Sequence, residues 1–174
     1  MCNVWPEKED QERLRFVVGG DRINYPGEVA TLTADMLVEK LLFNSIVSTP
    51  SAKFMTLDIS NFYLMTPLKR SEYIRVSLKN IPDKIIKEYK LREIAMKNGT
   101  VHIEANKGMY GLPQVGLLAN QLLEKRLNKR GYFQSKLVPG VWKHKWRPVQ
   151  FTLVVNDFGV EYVGKEYAQH LRDT

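Results

Sequence analysis

Hydrophobic and polar positions repeat with two different periods along the chain, and the period predicts the type of each element. Apolar side chains recur at the spacing of one helix face between residues 34 and 46, with Thr33 as a candidate N-cap. A second helical face runs from Val115 to Leu127 and stops at Gly131. Shorter apolar runs predict strands, at 13–18, 53–59, 73–79 and 101–105.

The remaining elements are short and are marked by turn residues. Pro82 opens a short predicted helix, and Asn98-Gly99 predicts a turn. The segment FTLVVNDFGVEYVG, 151–164, predicts a β-hairpin with a tight turn at Asn156-Asp157. A last helix is predicted from about Lys165. This order of strands and helices predicts an α+β fold, in which a sheet packs on helices within one domain, 1–174.

Composition narrows the class of protein. With 174 residues, 44% of them apolar and 26% charged, the chain has the make-up of one globular domain. Lysine and arginine outnumber the acids by 26 to 19, which gives a net charge of +7. Such an excess serves solubility or attracts a polyanionic partner. The single cysteine, Cys2, excludes an internal disulfide and a cysteine-based zinc site.

No targeting or membrane-spanning segment is predicted. The first 15 residues are charged and lack the apolar core of a secretory signal. The longest apolar stretch, near 36–47, is interrupted by Glu39 and Lys40 and is too short to cross a bilayer. We therefore expect a soluble, intracellular protein without a membrane partner.

Two acidic positions are candidates for chemistry, and each has a simpler explanation. Asp58 closes an apolar strand, and burying it is costly unless a cation or hydrogen-bond donors compensate it. It could instead cap the turn that follows. Asn156 and Asp157 both suit tight turns, so that pair alone is equally weak. The sequence around both positions makes them specific.

The chain contains RFVVGGDRINY, DISNFYLMTPL, KGMYGLPQVG and VVND in that order. These four blocks resemble the motifs of a reverse transcriptase, in the order of that family. DISNFYLMTPL, from Asp58, resembles motif A, and KGMYGLPQVG, 107–116, resembles motif B. VVND followed by an apolar strand resembles the aspartate-pair motif C, and RFVVGGDRINY is similar to a fingers segment. Together they cover 13 to about 164 and favour the copia-like retrotransposon polymerases. The resemblance implies a fingers–palm domain with an antiparallel palm sheet.

The resemblance also implies roles for single residues. Asp58 and Asp157 would bind two Mg²⁺ ions, which require hard oxygen ligands and would promote DNA synthesis on an RNA or DNA primer-template. Tyr63 would lie under the sugar of the incoming dNTP, where its alternative is a core aromatic. Gln114 would contact that nucleotide, and Arg15 would hold its triphosphate. If motifs A and C share one site, Asp58 and the Asn156-Asp157 turn must lie side by side on adjacent strands.

The chain departs from the family pattern in two ways. Motif C carries Asn156 where the family has its first aspartate, and a neutral amide there weakens a site that needs negative charge. Losing several kcal/mol of metal interaction would slow the reaction by roughly a thousandfold or more. The sequence also ends soon after motif C, so we expect no thumb, connection or RNase H region in these residues.

Two basic clusters are explained most simply as a solvated helix face and a solvated hairpin, and contact with the phosphates of a nucleic acid is the alternative. One ends the second helix and the other interleaves bases with Trp146; the candidate residues are Lys125, Arg126, Lys129, Arg130, Lys143, Lys145 and Arg147. We therefore interpret the chain as a reverse transcriptase fragment crippled by Asn156, cytoplasmic in a virus-like particle or nuclear. The alternatives are a non-catalytic nucleic-acid-binding relic and an unrelated small α+β domain.

Overall fold

Two antiparallel sheets, five α-helices and a short 3₁₀ helix (Leu78–Asn80) lie in the part of the chain that the computed structural model describes, residues 17–20 and 23–174. The helices are α1 (Met36–Ser48), α2 (Asp83–Glu88), α3 (Leu91–Ile94), α4 (Val115–Lys129) and α5 (Lys165–Arg172). The strands are β1 (Lys53–Asp58), β2 (Pro67–Ser77), β3 (Thr100–Lys107), β4 (Tyr132–Gln134), β5 (Val141–His144), β6 (Val149–Val154) and β7 (Asp157–Tyr162). The predicted α+β class is confirmed.

The larger sheet carries the main hydrophobic core on one face. Its strand order is β1-β7-β6-β5-β4, so the chain returns by hairpins from β4 to β7 and β1 is added at the far edge. Side chains alternate between faces. One face therefore collects the largest buried residues, Tyr132, Trp142, Phe151, Leu153 and Val160.

Helices cover both faces of this sheet. Leu127 of α4 and Leu171 of α5 belong to the core cluster, which places these two helices on the core face. Helix α1 lies on the opposite face, where Gln150 Nε2 donates to Ser45 Oγ over 3.1 Å. The rings of Phe43 and Phe54 also meet there, with centroids 4.9 Å apart.

Helix α1 differs from its prediction in two respects. It begins at Met36 with Asp35 as N-cap, whose carboxylate accepts the Val38 N–H over 2.8 Å, so Thr33 as cap was wrong. The charged carboxylate complements the helix dipole better than the neutral Thr33 hydroxyl does. Within α1 only Leu42 is buried, so the apolar periodicity overstates how much of this helix enters the core.

The smaller sheet pairs β2 with β3, and residues 17–20 lie against the loop before α4. Val17 bridges to Tyr110, and a side chain on Gly20 would collide with the carbonyl oxygen of Gly111. Glycine is needed because the two backbones touch. The predicted strand at 13–18 lies outside the described residues up to position 16.

The short predicted elements are confirmed at their turn residues. Helix α2 begins immediately after Pro82, Gly99 has φ of +73° before β3, and Gly131 has φ of +87° after α4. Strand β2 begins at Pro67, six positions before the predicted start, with an irregular register in its first half. No helix in the described ranges is long and apolar enough to cross a membrane.

Candidate functional site

The end of β1 meets the start of β7, and this contact brings the two aspartates together. The strands are antiparallel, with Asp58 opposite Asp157 and Leu57 opposite Phe158. Directly opposed residues share a face. Because Leu57 and Phe158 face the core, Asp58 and Asp157 share the opposite face, and both are exposed. The prediction that Asp58 lies beside the hairpin on an adjacent strand is confirmed.

The hairpin turn is displaced by one residue from its predicted position. Val154 pairs with Asp157, so the two loop residues are Val155 and Asn156, and Asp157 already belongs to β7. Val155 has φ of +59°, a region that β-branched residues seldom adopt. The sequence suggested Asn156-Asp157 because both residue types suit turns, but the strand register sets the loop.

Asn156 holds the end of β1 through both its side chain and its backbone. Its Nδ2 donates to Asp58 Oδ1, and its carbonyl oxygen accepts the Ile59 N–H over 3.1 Å. We call this pair of hydrogen bonds the Asn156 clasp. The Asp58 carboxylate therefore binds a residue 98 positions away.

The residues of this site do not fit a pair of magnesium ions. Two dications require several hard, negatively charged oxygens, and Asp58 and Asp157 supply two carboxylates. The third position is an amide that turns its N–H donor toward Asp58, and an N–H group repels a cation. Among the described residues no group of three histidine, cysteine, aspartate or glutamate side chains is placed to hold a metal ion.

Tyr63 lies in the turn after β1, packed against another tyrosine. Its ring meets Tyr110 edge-on with centroids 5.5 Å apart, and Phe62 lies 5.6 Å away. Burial, and secondly the neighbouring Tyr110, raise the pKa of the Tyr63 phenol, so it stays neutral at physiological pH. Tyr63 is therefore a neutral aromatic side chain packed against Tyr110, and its predicted place under the sugar of a nucleotide stays a prediction.

Gln114 precedes α4 and is buried with one end satisfied. Its Nε2 donates to Glu72 Oε1 over 3.0 Å, while its Oε1 has no partner. The carboxylate fixes the amide orientation, because a flipped amide would oppose two oxygens. Glu72 also faces Arg70 over 3.6 Å, and both line a cavity of about 340 Å³ beside Gln114. No described contact links Gln114 to Asp58.

The predicted nucleic-acid-binding residues are found at two places on the chain's surface. Arg126 lines a cavity of about 260 Å³ together with Leu57 and Ile59, on the core side of β1. Arg130 lies beside β5, where its carbonyl contacts His144 over 3.1 Å. The side chains are exposed except that of Arg147, which is partly buried. Arg15, the predicted triphosphate ligand, lies outside the described residues.

A polar cluster between β4, β5 and α5 was not foreseen from the sequence. The Tyr132 hydroxyl lies 2.9 Å from His170 Nδ1, and the rings of His144 and His170 meet at right angles. Burial raises the pKa of Tyr132 to about 12. Burial likewise lowers the pKa of His144 and that of His170, and Arg147 lowers both further. The histidines are 26 positions apart, so no local spacing signalled this cluster.

Comparison of the chain with protein-family models, with curated proteins and with solved structures finds no match in any of the three.

Proposed function

We propose that this chain is a nucleic-acid-binding domain of the reverse transcriptase type, whose polymerase reaction is suppressed by Asn156. The observation that carries the proposal is the pairing of Asp58 with Asp157 beside the hairpin loop. Two residues from widely separated motifs share one face at one sheet end, which is what the motif resemblance requires. The ancestral reaction is template-directed DNA synthesis from dNTPs.

The chemistry of the Asn156 clasp explains why the polymerase reaction would be suppressed. In the intact family pattern a third carboxylate stands at position 156 and adds negative charge. Here the amide gives no charge and its donor occupies an oxygen of Asp58. A deficit of several kcal/mol in transition-state stabilisation corresponds to roughly a thousandfold loss of rate or more. Asp157 does not compensate, because it is already one of the two carboxylates that meet at this strand end, and the third negative charge is still missing.

Two further features of the structure support the proposed contacts of Tyr63 and Gln114 with a nucleotide. The neutral, edge-packed Tyr63 offers a rigid ring that could exclude a 2′-hydroxyl group from the sugar site. The Oε1 atom of Gln114 is an acceptor without a described partner. Because Gln114 is buried, a nucleotide could contact it only if neighbouring protein atoms moved away from its side chain. Mg²⁺ binding at Asp58 and Asp157 belongs to the ancestral reaction and is proposed to be weak here.

Primer extension tests the catalytic half of the proposal. Because a thumb positions the primer terminus and positioning contributes much of the rate, the assay uses both the 174-residue chain and its fusion to the thumb of a related enzyme. We expect no extension by the unaltered sequence in either form. In the fusion, Asn156→Asp should restore Mg²⁺-dependent synthesis, and adding Asp58→Ala should abolish it. Equal activity with and without the Asn156→Asp change would refute the assigned role of Asn156.

A second candidate function is nucleic-acid binding without any catalysis. It is favoured by the clasp and by the seven predicted contact residues, none of which takes part in an ion pair among the described residues. Unpaired surface cations release counterions when they contact phosphates, so binding weakens steeply with salt. Titration of labelled primer-template at 50 and 200 mM salt should give sequence-independent affinity in the range of about 10⁻⁴ to 10⁻⁶ M at the higher salt concentration. Absence of binding at low salt would contradict both candidates.

A further inference from the structure

The two basic clusters, which are separate in the sequence, meet at one end of the larger sheet. The Lys145 N–H donates to the Gly131 carbonyl over 2.8 Å, and His144 contacts the Arg130 carbonyl. The end of α4 and the β5–β6 hairpin therefore form a continuous surface. We call it the basic tip; its cations are Lys129, Arg130, Lys143, Lys145 and Arg147.

The basic tip lies at the opposite end of β6 from the Asn156 clasp. Strand β6 enters from the β5–β6 hairpin at Val149 and leaves toward the β6–β7 loop at Val154. At about 3.3 Å per residue these ends are about 17 Å apart. The basic tip is therefore a surface separate from the carboxylates.

An exposed tryptophan stands on this surface in a fixed position. Trp146 is 66% exposed, and the Arg147 guanidinium carbon lies 3.9 Å from the ring centroid. His144 contacts the same ring at right angles with centroids 5.3 Å apart, and its Nδ1 accepts the Trp146 N–H over 3.2 Å. The ring is held by its neighbours although most of it faces solvent.

We propose that the basic tip binds single-stranded nucleic acid, with a base stacked on Trp146 and phosphates on the surrounding cations. Single strands present unstacked base faces, which duplexes hide, and stacking on an aromatic is tolerant of sequence. The guanidinium of Arg147 already covers one face of the ring, so the base stacks on the other face and Arg147 adds positive charge for the phosphates. This inference deepens the nucleic-acid partner of the proposed function and rests on it, but it does not require the polymerase resemblance.

The test compares three polyanions on the 174-residue chain: oligo(dT)₁₂, a 12-base-pair duplex and polyphosphate of similar charge. Trp146→Ala should raise the Kd for oligo(dT)₁₂ by about tenfold, or about 1.4 kcal/mol. The Kd for duplex and for polyphosphate should change less than twofold, since neither offers a base face. Lys145→Ala should weaken all three and reduce the salt slope by about 0.7 to 0.9.

Fluorescence gives a second reading that does not depend on a destabilising change. The chain has three tryptophans; Trp142 is buried, and Trp5 is removed as Trp5→Phe in every protein compared. Oligo(dT)₁₂ should then quench the remaining exposed ring, and adding Trp146→Phe should abolish the quenching while most affinity remains. Lys87→Ala, an exposed cation on α2, is the matched control and should leave all three affinities unchanged.

The outcomes separate this inference from the proposed function. Binding of oligo(dT)₁₂ that Trp146→Ala does not weaken, in a variant with unchanged thermal unfolding, would overturn the stacking. Binding that neither Trp146→Ala nor Lys145→Ala changes would overturn the basic tip as the site while leaving nucleic-acid binding intact. A chain that binds none of the three polyanions would overturn the proposed partner itself.

Discussion

Replacing Asn156 by aspartate exchanges a hydrogen-bond donor for a third negative charge beside Asp58 and Asp157. The change removes the side-chain half of the clasp but keeps the backbone bond from Ile59. Two unit charges about 4 Å apart repel by about 1 kcal/mol in water and by more in a protein interior. The value for water applies here because Asp58 and Asp157 are exposed. Adding the lost charge-assisted hydrogen bond, discounted for exposure, gives a destabilisation of about 2 kcal/mol.

Thermal unfolding in EDTA measures this cost. For a domain of this size about 2 kcal/mol corresponds to a fall in Tm of about 4–8 °C. Mg²⁺ should reverse much of the loss in the variant, because the ion offsets three carboxylates. If its Kd is about 1 mM, 10 mM Mg²⁺ stabilises by about 1.4 kcal/mol. The unaltered protein should respond to Mg²⁺ by less than about 1 °C.

A residue swap supplies the matched control. The double variant Asp58→Asn and Asn156→Asp keeps one amide and one carboxylate at the same two positions, with donor and acceptor exchanged. It should unfold close to the unaltered protein in EDTA and show no Mg²⁺ response at constant ionic strength. The reasoning fails if Asn156→Asp alone is as stable as the unaltered protein and equally indifferent to Mg²⁺. In that case the Asn156 side chain does not stabilise the Asp58 carboxylate, and a third carboxylate does not create a need for a cation.

Three further predictions concern stability. Tyr132→Phe removes the hydroxyl that contacts His170 and should cost about 1 kcal/mol in urea unfolding; an unchanged midpoint would contradict it. The pKa values of His144 and His170 are lowered in the folded state, so below about pH 6.5 these histidines bind protons more readily in the unfolded chain than in the folded one. The free energy of unfolding should therefore fall from pH 7.5 to 5.5. Replacing both histidines with glutamine should flatten that slope, which is the check on its origin. Val155→Gly relieves a positive φ and should stabilise by about 1 kcal/mol, with a lower Tm as the refuting result.

The sequence determined the elements wherever local chemistry decides them. Pro82, Gly99 and Gly131 fix where α2 begins, where the turn before β3 lies and where α4 ends, because each has backbone preferences that act within a few residues. The spacing of apolar residues likewise predicted that α4 is a helix and that the last two strands form a hairpin, because this spacing is also a local property of the sequence. The resemblance to known sequence motifs also predicted that Asp58 lies beside the last hairpin, and Asp58 does pair with Asp157 at the start of β7.

Tertiary structure decided what depends on register and on packing between distant segments. The loop fell on Val155 and Asn156 because the pairing of β6 with β7 and of β7 with β1 outweighs the turn preference of Asp157. Helix α1 has the apolar period of a core helix, yet it buries only Leu42 because it covers one face of a sheet whose main core lies on the other. The union of the two basic clusters and the contact of Tyr132 with His170 required the folded chain, since no local pattern links residues that far apart.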